Sequence, residues 1–484
     1  MRLVVGVDLG TQSLKAVVCD AELRVLADHQ VPIATVHPQP GWAEQDPASW
    51  DAALELAVAR ALTAAGADAG DVAAIGLAGQ LDGCVAVDAG GAALHPALIW
   101  QDKRAHDFVT ADPARVHAIA GQVADPSHMA AKIAWLRAHG VRAARWHQPT
   151  SYLVARLTGA HALDPAHAST TMLFDLAAGA WSSELCAAFA IDPRELPDVR
   201  AATSIAGELR APLAGIAAGT PVAVGTGDDF ATPLGAGVVA PGRAICAVGT
   251  AEVVGALADR PILDDAREPM LETHAYPSGA YFVENPGWLS GGAVRWATRM
   301  LGLGSDAELD ALAASAPPGA GGVTFVPALA GAMTPVWRPH ARGTLHGLAA
   351  SHDRAHVARA VLEGLAFAER DVVDRLAALG LSDASVLVLG GGGKSRVWTQ
   401  IRADVTRRPH EVSARSDTCA IGAAMLATVA AGLLPDLAAA ARTAPPPSAT
   451  FMPGASLDDA YERYRTLHAQ LASLAERPWA TVHA

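Results

Sequence analysis

The chain has 484 residues, 51% hydrophobic and 18% charged, with a formal net charge of −13. That length is too great for one core, so two or three domains are expected, and the composition is that of a compact soluble protein. The acidic balance argues against a nucleic acid or an anionic membrane as partner, since both need clustered Lys and Arg.

The first predicted element is "VVGVDLGTQS", Val4 to Ser13, an apolar strand that stops on Asp8 with Gly10 and Thr11 just beyond. The following "LKAVVCD" is again apolar and β-branched, so the unit reads as strand, tight turn, strand. A single such unit is equally an N-terminal hairpin with a turn acid. No apolar run with a small-residue cleavage site precedes it, so no secretory leader is expected. Further on, "SWDAALELAVARALTAAG" and "MAAKIAWLRAHG" space their apolar residues by three and four and predict helices, whereas "VAAIGLAGQ" and "CVAVDAGG" predict strands. Strands separated by helices predict α/β layers. The Gly- and Pro-rich "GDDFATPLGAGVVAPGR", beginning at Gly227, marks the expected boundary between domains 1–237 and 238–484.

Just past that boundary, "AICAVGTAEVVGA", Ala244 to Ala256, repeats the opening pattern around Gly249 and Thr250. Two copies half a chain apart, each heading an α/β half, point to an internal duplication. "VLVLGGGGKSRVWTQIRADV", Val386 to Val405, runs from a strand through four glycines into a helix starting near Ser395. Glycines admit a ligand to the backbone, and the helix N-terminus offers unpaired N–H groups to phosphate. Gly393-Lys394-Ser395 ends like a Walker A loop, but that loop needs a glycine where Val388 stands, which excludes a P-loop. "AIGAAMLATVAAGLLP", Ala420 to Pro435, is too short to cross a bilayer and predicts a buried helix. The five cysteines, Cys19, Cys84, Cys186, Cys246 and Cys419, include no CxxC pair. They support neither a zinc site nor a disulfide framework, and a reducing cytoplasm fits them best. The histidines show no metal-ligand spacing such as HExxH. The run "LDDAYERYRTLHAQLASL" predicts a plain terminal helix.

Two hairpins with Gly-Thr tips and a glycine-rich strand-to-helix turn resemble the sugar kinase, actin and Hsp70 superfamily. The resemblance implies two actin-like (ribonuclease H-like) α/β domains from an internal duplication, with both hairpin tips gripping nucleotide phosphates across an interdomain cleft. It also implies that Asp8, at the cleft floor, holds a hydrated Mg²⁺. Within the superfamily the chain is similar to the FGGY carbohydrate kinases, and among them to xylulokinases. "GTLHGLAASHDRAHVARAVLE", Gly343 to Glu363, fits the family's C-terminal signature. "KIAWLRAH", Lys132 to His139, fits the core of its N-terminal one, with Met129 where that pattern has Pro, Ser or Thr. "GWAEQDPASW", Gly41 to Trp50, looks like an early xylulokinase segment. "GQLDG", Gly79 to Gly83, and "IWQDKRA", Ile99 to Ala105, stand where those enzymes carry sugar-contacting loops, and "GTGDD", Gly225 to Asp229, resembles the loop of the catalytic base.

The resemblance implies ATP-dependent phosphorylation of a neutral ketose, D-xylulose to D-xylulose 5-phosphate first, with ATP and Mg²⁺ as cofactors. Asp228 becomes the general base and, with Asp8, a metal residue. Gln80, Leu81, Asp82, Trp100, Asp102, Arg104 and Asp229 fall to the sugar, Asp102 and Arg104 either bonding hydroxyls or holding their loop. Thr11, Gln12, Gly249, Thr250, Gly391, Gly392, Gly393 and Lys394 fall to the nucleotide. Three departures bear on the substrate. Leu81-Asp82 replaces the usual Met-His, Asp229 an Asn, and Gly331-Ala332-Met333 a Gly-Glu-Arg. Kinases for ribulose, erythritol or a pentitol are the alternative, and an actin/Hsp70-like ATPase or a non-catalytic sugar sensor the remoter ones. A homodimer stays open.

Overall fold

The computed structural model describes residues 2–381 and 384–475. Leu3–Leu9 (β1), Ser13–Asp20 (β2) and Val25–Pro32 (β3) form an antiparallel meander. On its other side β1 pairs in parallel with Val72–Gly79, which Pro221–Ala223 and Thr226–Gly227 join in parallel, and Ile205–Glu208 closes that edge antiparallel. The second sheet repeats the scheme. Ala244–Val248, Ala251–Ala258 and Tyr281–Leu289 make the meander, and Val386–Gly390 and His410–Val412 extend it in parallel. Ala449–Phe451 closes the edge antiparallel. Each sheet has seven strands, and the order and directions match except for one added strand in each, Thr226–Gly227 and Glu272–Ala275. The duplication expected from two Gly-Thr hairpins is thus present in the backbone, as two actin-like α/β domains.

The central strands are buried on both faces, which is why they read as unbroken apolar runs rather than alternating ones. Outside the first sheet packs Pro47–Ala65 (α1). Asp46 caps it by accepting the Ala48 N–H, Pro47 opens it, and the three- and four-residue spacing of Trp50, Ala53, Leu54, Ala57, Val58, Ala61 and Leu62 becomes its buried face.

The Ala-rich helix Thr418–Ala430 is buried and packs on the first sheet and on the helix Asp228–Gly235. A Cβ on Gly6 would come 2.0 Å from the Ala420 carbonyl oxygen, and one on Gly76 1.9 Å from that of Ala423. Glycine in the two strands therefore lets the helix backbone sit directly on the sheet. One apolar cluster consequently runs from Val4, Val17 and Ala74 through Ala420 and Ala424 to Ile245, Leu257 and Leu387.

The Gly- and Pro-rich run expected as a boundary begins instead as a helix, Asp228–Gly235, with Pro233 inside it. Burial of Phe230, Ala231 and Leu234 overrides the poor local propensity, and only residues 236–243 cross between the sheets as a loop. All five cysteines are buried and free. Among the described residues no helix is long and apolar enough to cross a membrane.

Candidate active site

Parallel strands end together, and the loops leaving their C-terminal ends form a natural ligand crevice. In the first sheet Asp8 and Thr226 both pair with Ala78, while Leu9 and Gly227 both pair with Gly79. Asp8, the Gln80–Asp82 loop and Asp228 therefore emerge side by side. Leu81 lies flat on Gly227, where a Cβ would come 2.0 Å from its Cδ2. In the second sheet Val248 pairs with Gly390, which sets the Gly249-Thr250 tip beside the Gly391–Lys394 turn.

Asp228 opens its helix, and the Asp229 amide donates to Asp228 Oδ1 at 3.2 Å. Burial, then the neighbouring charges of Asp229 and Asp8, push the Asp228 carboxyl well above the carboxylate range. Asp229 is pushed up to about 6 by burial and by Asp82, with His274 opposing. Asp8 is likewise pushed to about 6, mostly by burial, although the Cys419 thiol and Lys15 favour its charged form. Asp8 Oδ1 is buried with no hydrogen-bond partner. Facing carboxylates short of positive charge, one with an orphaned oxygen, are the hard-oxygen donor set that Mg²⁺ takes. Asp8 and Asp228 fit that ion.

Asp82 stands at φ 59, its amide donating to Gln148 Oε1 at 2.9 Å and its carboxylate 3.1 Å from His128 Nδ1. Gln80 is buried. Its amide N–H donates to the Leu9 carbonyl and its side chain to Gln45 Oε1, both at 2.9 Å. Trp100 is 39% exposed, enough to meet a ligand, and its Nε1–H donates to Thr11 Oγ1 at 2.8 Å. The ring thus joins the Ile99–Ala105 loop to the first hairpin tip at Thr11.

Asp102 and Arg104 bond to each other and to neighbouring segments, as a loop-holding pair would. Asp102 is fully buried and accepts from the Ala43 N–H at 2.7 Å and from Arg104 Nη2 at 2.6 Å. The Arg104 guanidinium also pairs with Glu44 and lies 3.6 Å from the Trp42 ring centroid. Both side chains are buried, and Arg104 Nη1 has no hydrogen-bond partner.

On the nucleotide side Gly249 and Thr250 are exposed, as are Gln12, Gly391 and Lys394, while Thr11, Gly392 and Gly393 are half-buried. Arg295 Nη2 donates to Thr250 Oγ1 at 3.0 Å and brings a cation to that tip. Ser395 caps the helix Arg396–Thr406 behind the glycines by accepting the Trp398 N–H.

Several residues with no role in the sequence reading prove central. Gln45, within "GWAEQDPASW", ties Gln80 to the Thr11 carbonyl, accepting from one and donating to the other. Lys132, in the N-terminal signature, donates to the carbonyls of Asp82, Ile99 and Ser127. His128, Glu272, His274 and Glu284 form a buried chain of ionisable side chains behind Asp82 and Asp229. No local pattern marks them, because their partners are distant in sequence. Among the described residues Cys246, Glu252 and Glu369 also converge closely enough for a metal. The Arg402 guanidinium occupies that centre, however, with Nη1 and Nη2 each 2.6 Å from a Glu252 oxygen.

Residues 3–235 match the N-terminal domain, and residues 244–431 the C-terminal domain, of the FGGY family of carbohydrate kinases. The chain is 32% identical to the xylulose kinase of Escherichia coli (strain K12), covering 98% of this chain and 100% of that one. It is 35% identical to the glycerol kinase of Gloeobacter violaceus over 90% of this chain and 89% of the other. Its structure superposes on xylulose kinase from Rhodospirillum rubrum with a TM-score of 0.88 at 29% identity, over 98% of this chain and 100% of the neighbour.

Proposed function

We propose, for a chain that belongs to the FGGY family of carbohydrate kinases, that its acceptor is a neutral ketose, xylulose first, phosphorylated with Asp228 as general base. The enzyme is a phosphotransferase, and ATP with Mg²⁺ serves FGGY kinases as phosphoryl donor. The observation that carries the proposal is the meeting of Asp228 with Asp8 and Asp229 where the parallel strands end, with the Asp82 side chain beside Asp229.

An acceptor hydroxyl becomes a better nucleophile as its proton leaves, and a carboxylate with a raised pKa is a suitable place for that proton. Asp228 takes it as the oxygen attacks the γ-phosphorus, and the O–P bond to ADP breaks on the far side. The backbone N–H groups and hydroxyls at Thr11–Gln12, Thr250 and the glycine turn take the phosphate oxygens, while the Gly10 and Gly249 N–H groups hold their own turns on Ser13 O and Ala251 O. Mg²⁺ held by Asp8 and Asp228 would neutralise charge on those oxygens and restrain Asp228 in its ionised form. Asp82 and Asp229 accept hydrogen bonds from the other acceptor hydroxyls, and Trp100 offers an apolar ring to their C–H face.

Carboxylates in this number repel an anion, which favours a neutral acceptor over a sugar acid or sugar phosphate. A second reading, a small neutral polyol such as glycerol, is supported by the glycerol kinase relatives at similar identity. ATP consumption against pentuloses, hexuloses, alditols, glycerol and sugar acids separates the two. A sugar acid with the highest kcat/KM would overturn both. Asp228→Asn should lower kcat roughly 10²–10⁴-fold and leave nucleotide binding nearly unchanged. Wild-type kcat in that variant removes Asp228 from the role of base.

A further inference from the structure

The geometry points to His128 as a positioning residue that sets acceptor selection by holding the Asp82 carboxylate from the seam between the two halves. The inference rests on the reading above only in that the acceptor lies against Asp82.

His128 precedes the helix Met129–Ala138 and is 4% exposed. Its Nδ1 lies 3.1 Å from Asp82 Oδ1 and 2.9 Å from the Thr170 carbonyl oxygen, with the Gln122 amide 3.1 Å away on the same side. Two acceptors face Nδ1, so that nitrogen carries a proton. On the other side Nε2 is 3.5 Å from Glu272 Oε1, on the edge strand Glu272–Ala275 of the second sheet. Glu272 Oε1 is held in turn by the Val123 N–H at 2.9 Å. Burial alone would discharge the imidazole, but Asp82 and Glu272 outweigh it and favour the imidazolium. Asp125 is a third, more distant carboxylate facing it.

Asp82 depends on this contact in a particular way. Its backbone is fixed independently, by Gln148 at the amide and by Lys132 at the carbonyl. Among the described residues His128 makes the hydrogen bond to its carboxylate. The carboxylate is thereby turned with one oxygen engaged and one free for a hydroxyl donor. Removing the imidazole leaves the loop in place and frees χ1 and χ2 of Asp82, so the loss falls on the match between carboxylate and acceptor hydroxyl.

The test measures steady-state kinetics of His128→Gln, Asp82→Asn and the double variant, on the best acceptor found and two poorer ones. Each single variant should raise KM for the best acceptor at least tenfold and reorder the three, while KM for ATP stays within twofold. The double variant should be no worse than the weaker single, because both remove one contact. Glu272→Gln, which loosens the seam and leaves the Asp82–His128 bond, should keep the acceptor ranking. Additive losses, an unchanged acceptor KM in His128→Gln, or the same reordering in Glu272→Gln would overturn the proposal. Asp82 is partly exposed, so Asp82→Asn covers the case in which His128→Gln does not fold, and an unchanged acceptor KM there overturns the proposal too. Full activity in Asp228→Asn would overturn the catalytic reading and leave this one standing.

Discussion

At the scale of single residues the proposed acceptor site hangs on Lys132. Its side chain is fully buried, and its ammonium donates to Asp82 O at 2.7 Å, to Ile99 O at 2.8 Å and to Ser127 O. An ammonium has three N–H groups, and each is spent on a different loop. Lys132→Met keeps the volume and takes the ammonium from the Asp82 and Ser127 carbonyls, each costing about 1–3 kcal/mol if left unsatisfied, while Ile99 O keeps the Asp102 N–H at 2.9 Å. The variant should melt several degrees lower and raise acceptor KM at least tenfold, with KM for ATP within twofold. Burial lowers the Lys132 pKa to about 8, against the charges of Asp82, Asp102 and Cys84. Below that value the side chain keeps all three donors, and above it the neutral amine has two. Acceptor kcat/KM should therefore fall as pH rises through about 8 in the wild type, and a pH profile of Lys132→Met should lack that fall. Lys132 sits in a segment whose family likeness is legible in the sequence, but its role is not. The three carbonyls it joins come from loops scattered over residues 82–127, and only the fold brings them within reach. The placement of Asp8, Thr11, Asp228 and Thr250 was legible because each stands at, or just beyond, the end of a strand.

At the scale of elements, what was legible depended on whether local propensity and tertiary packing agree. The two Gly-Thr hairpins and the glycine turn are local structures with local signals, and the backbone forms all three where they were expected. The helix Asp228–Gly235 carries Pro233 and ends in glycine, so its sequence reads as a linker. It is helical because Phe230, Ala231 and Leu234 are buried against the helix Thr418–Ala430. That second helix was legible as buried, but not its seat on β1 and Val72–Gly79, which rests on glycines in strands that read simply as apolar. At Gly76 an added Cβ would stand 1.9 Å from a carbonyl oxygen of the helix backbone, and no rotamer change can relieve that. Gly76→Ala should cost more than the roughly 1–3 kcal/mol usual for overpacking, read as a lowered denaturation midpoint. Gly91→Ala, in an exposed turn at φ 84 with nothing near the added Cβ, should cost only the backbone strain. Equal midpoints for the two variants would mean that the helix can back away from the sheet.

At the scale of the whole molecule the proposed phosphate donors are divided between two halves joined along their floor. The buried helix Thr418–Ala430 packs on the first sheet and on the helix Asp228–Gly235, which in turn meets Ala244–Val248 of the second; Lys15 pairs with Asp417, and Arg415 Nη1 donates to Gly235 O at 2.8 Å. At the far seam Val123 N–H donates to Glu272 and the Thr273 N–H to Gly121 O, both at 2.9 Å. Above that floor the tips at Gln12, Gly249 and Thr250 are exposed. Packed cores slide poorly, so relative motion of the halves should be a rotation about the buried helix pair and the crossing segment 236–243. A nucleotide bridging both tips favours the closed arrangement, and an acceptor against Asp82 and Asp229 adds contacts from beneath. Closure also keeps water from the γ-phosphate, which would otherwise be hydrolysed without an acceptor. Small-angle scattering should accordingly give a smaller radius of gyration with acceptor plus a non-hydrolysable ATP analogue than with either alone. Asp228→Asn, which keeps the phosphate contacts, should compact in the same way, so closure can be followed apart from turnover. An unchanged radius under both saturating ligands would mean that the tips already stand at their catalytic separation, and exclusion of water would then fall to the acceptor itself.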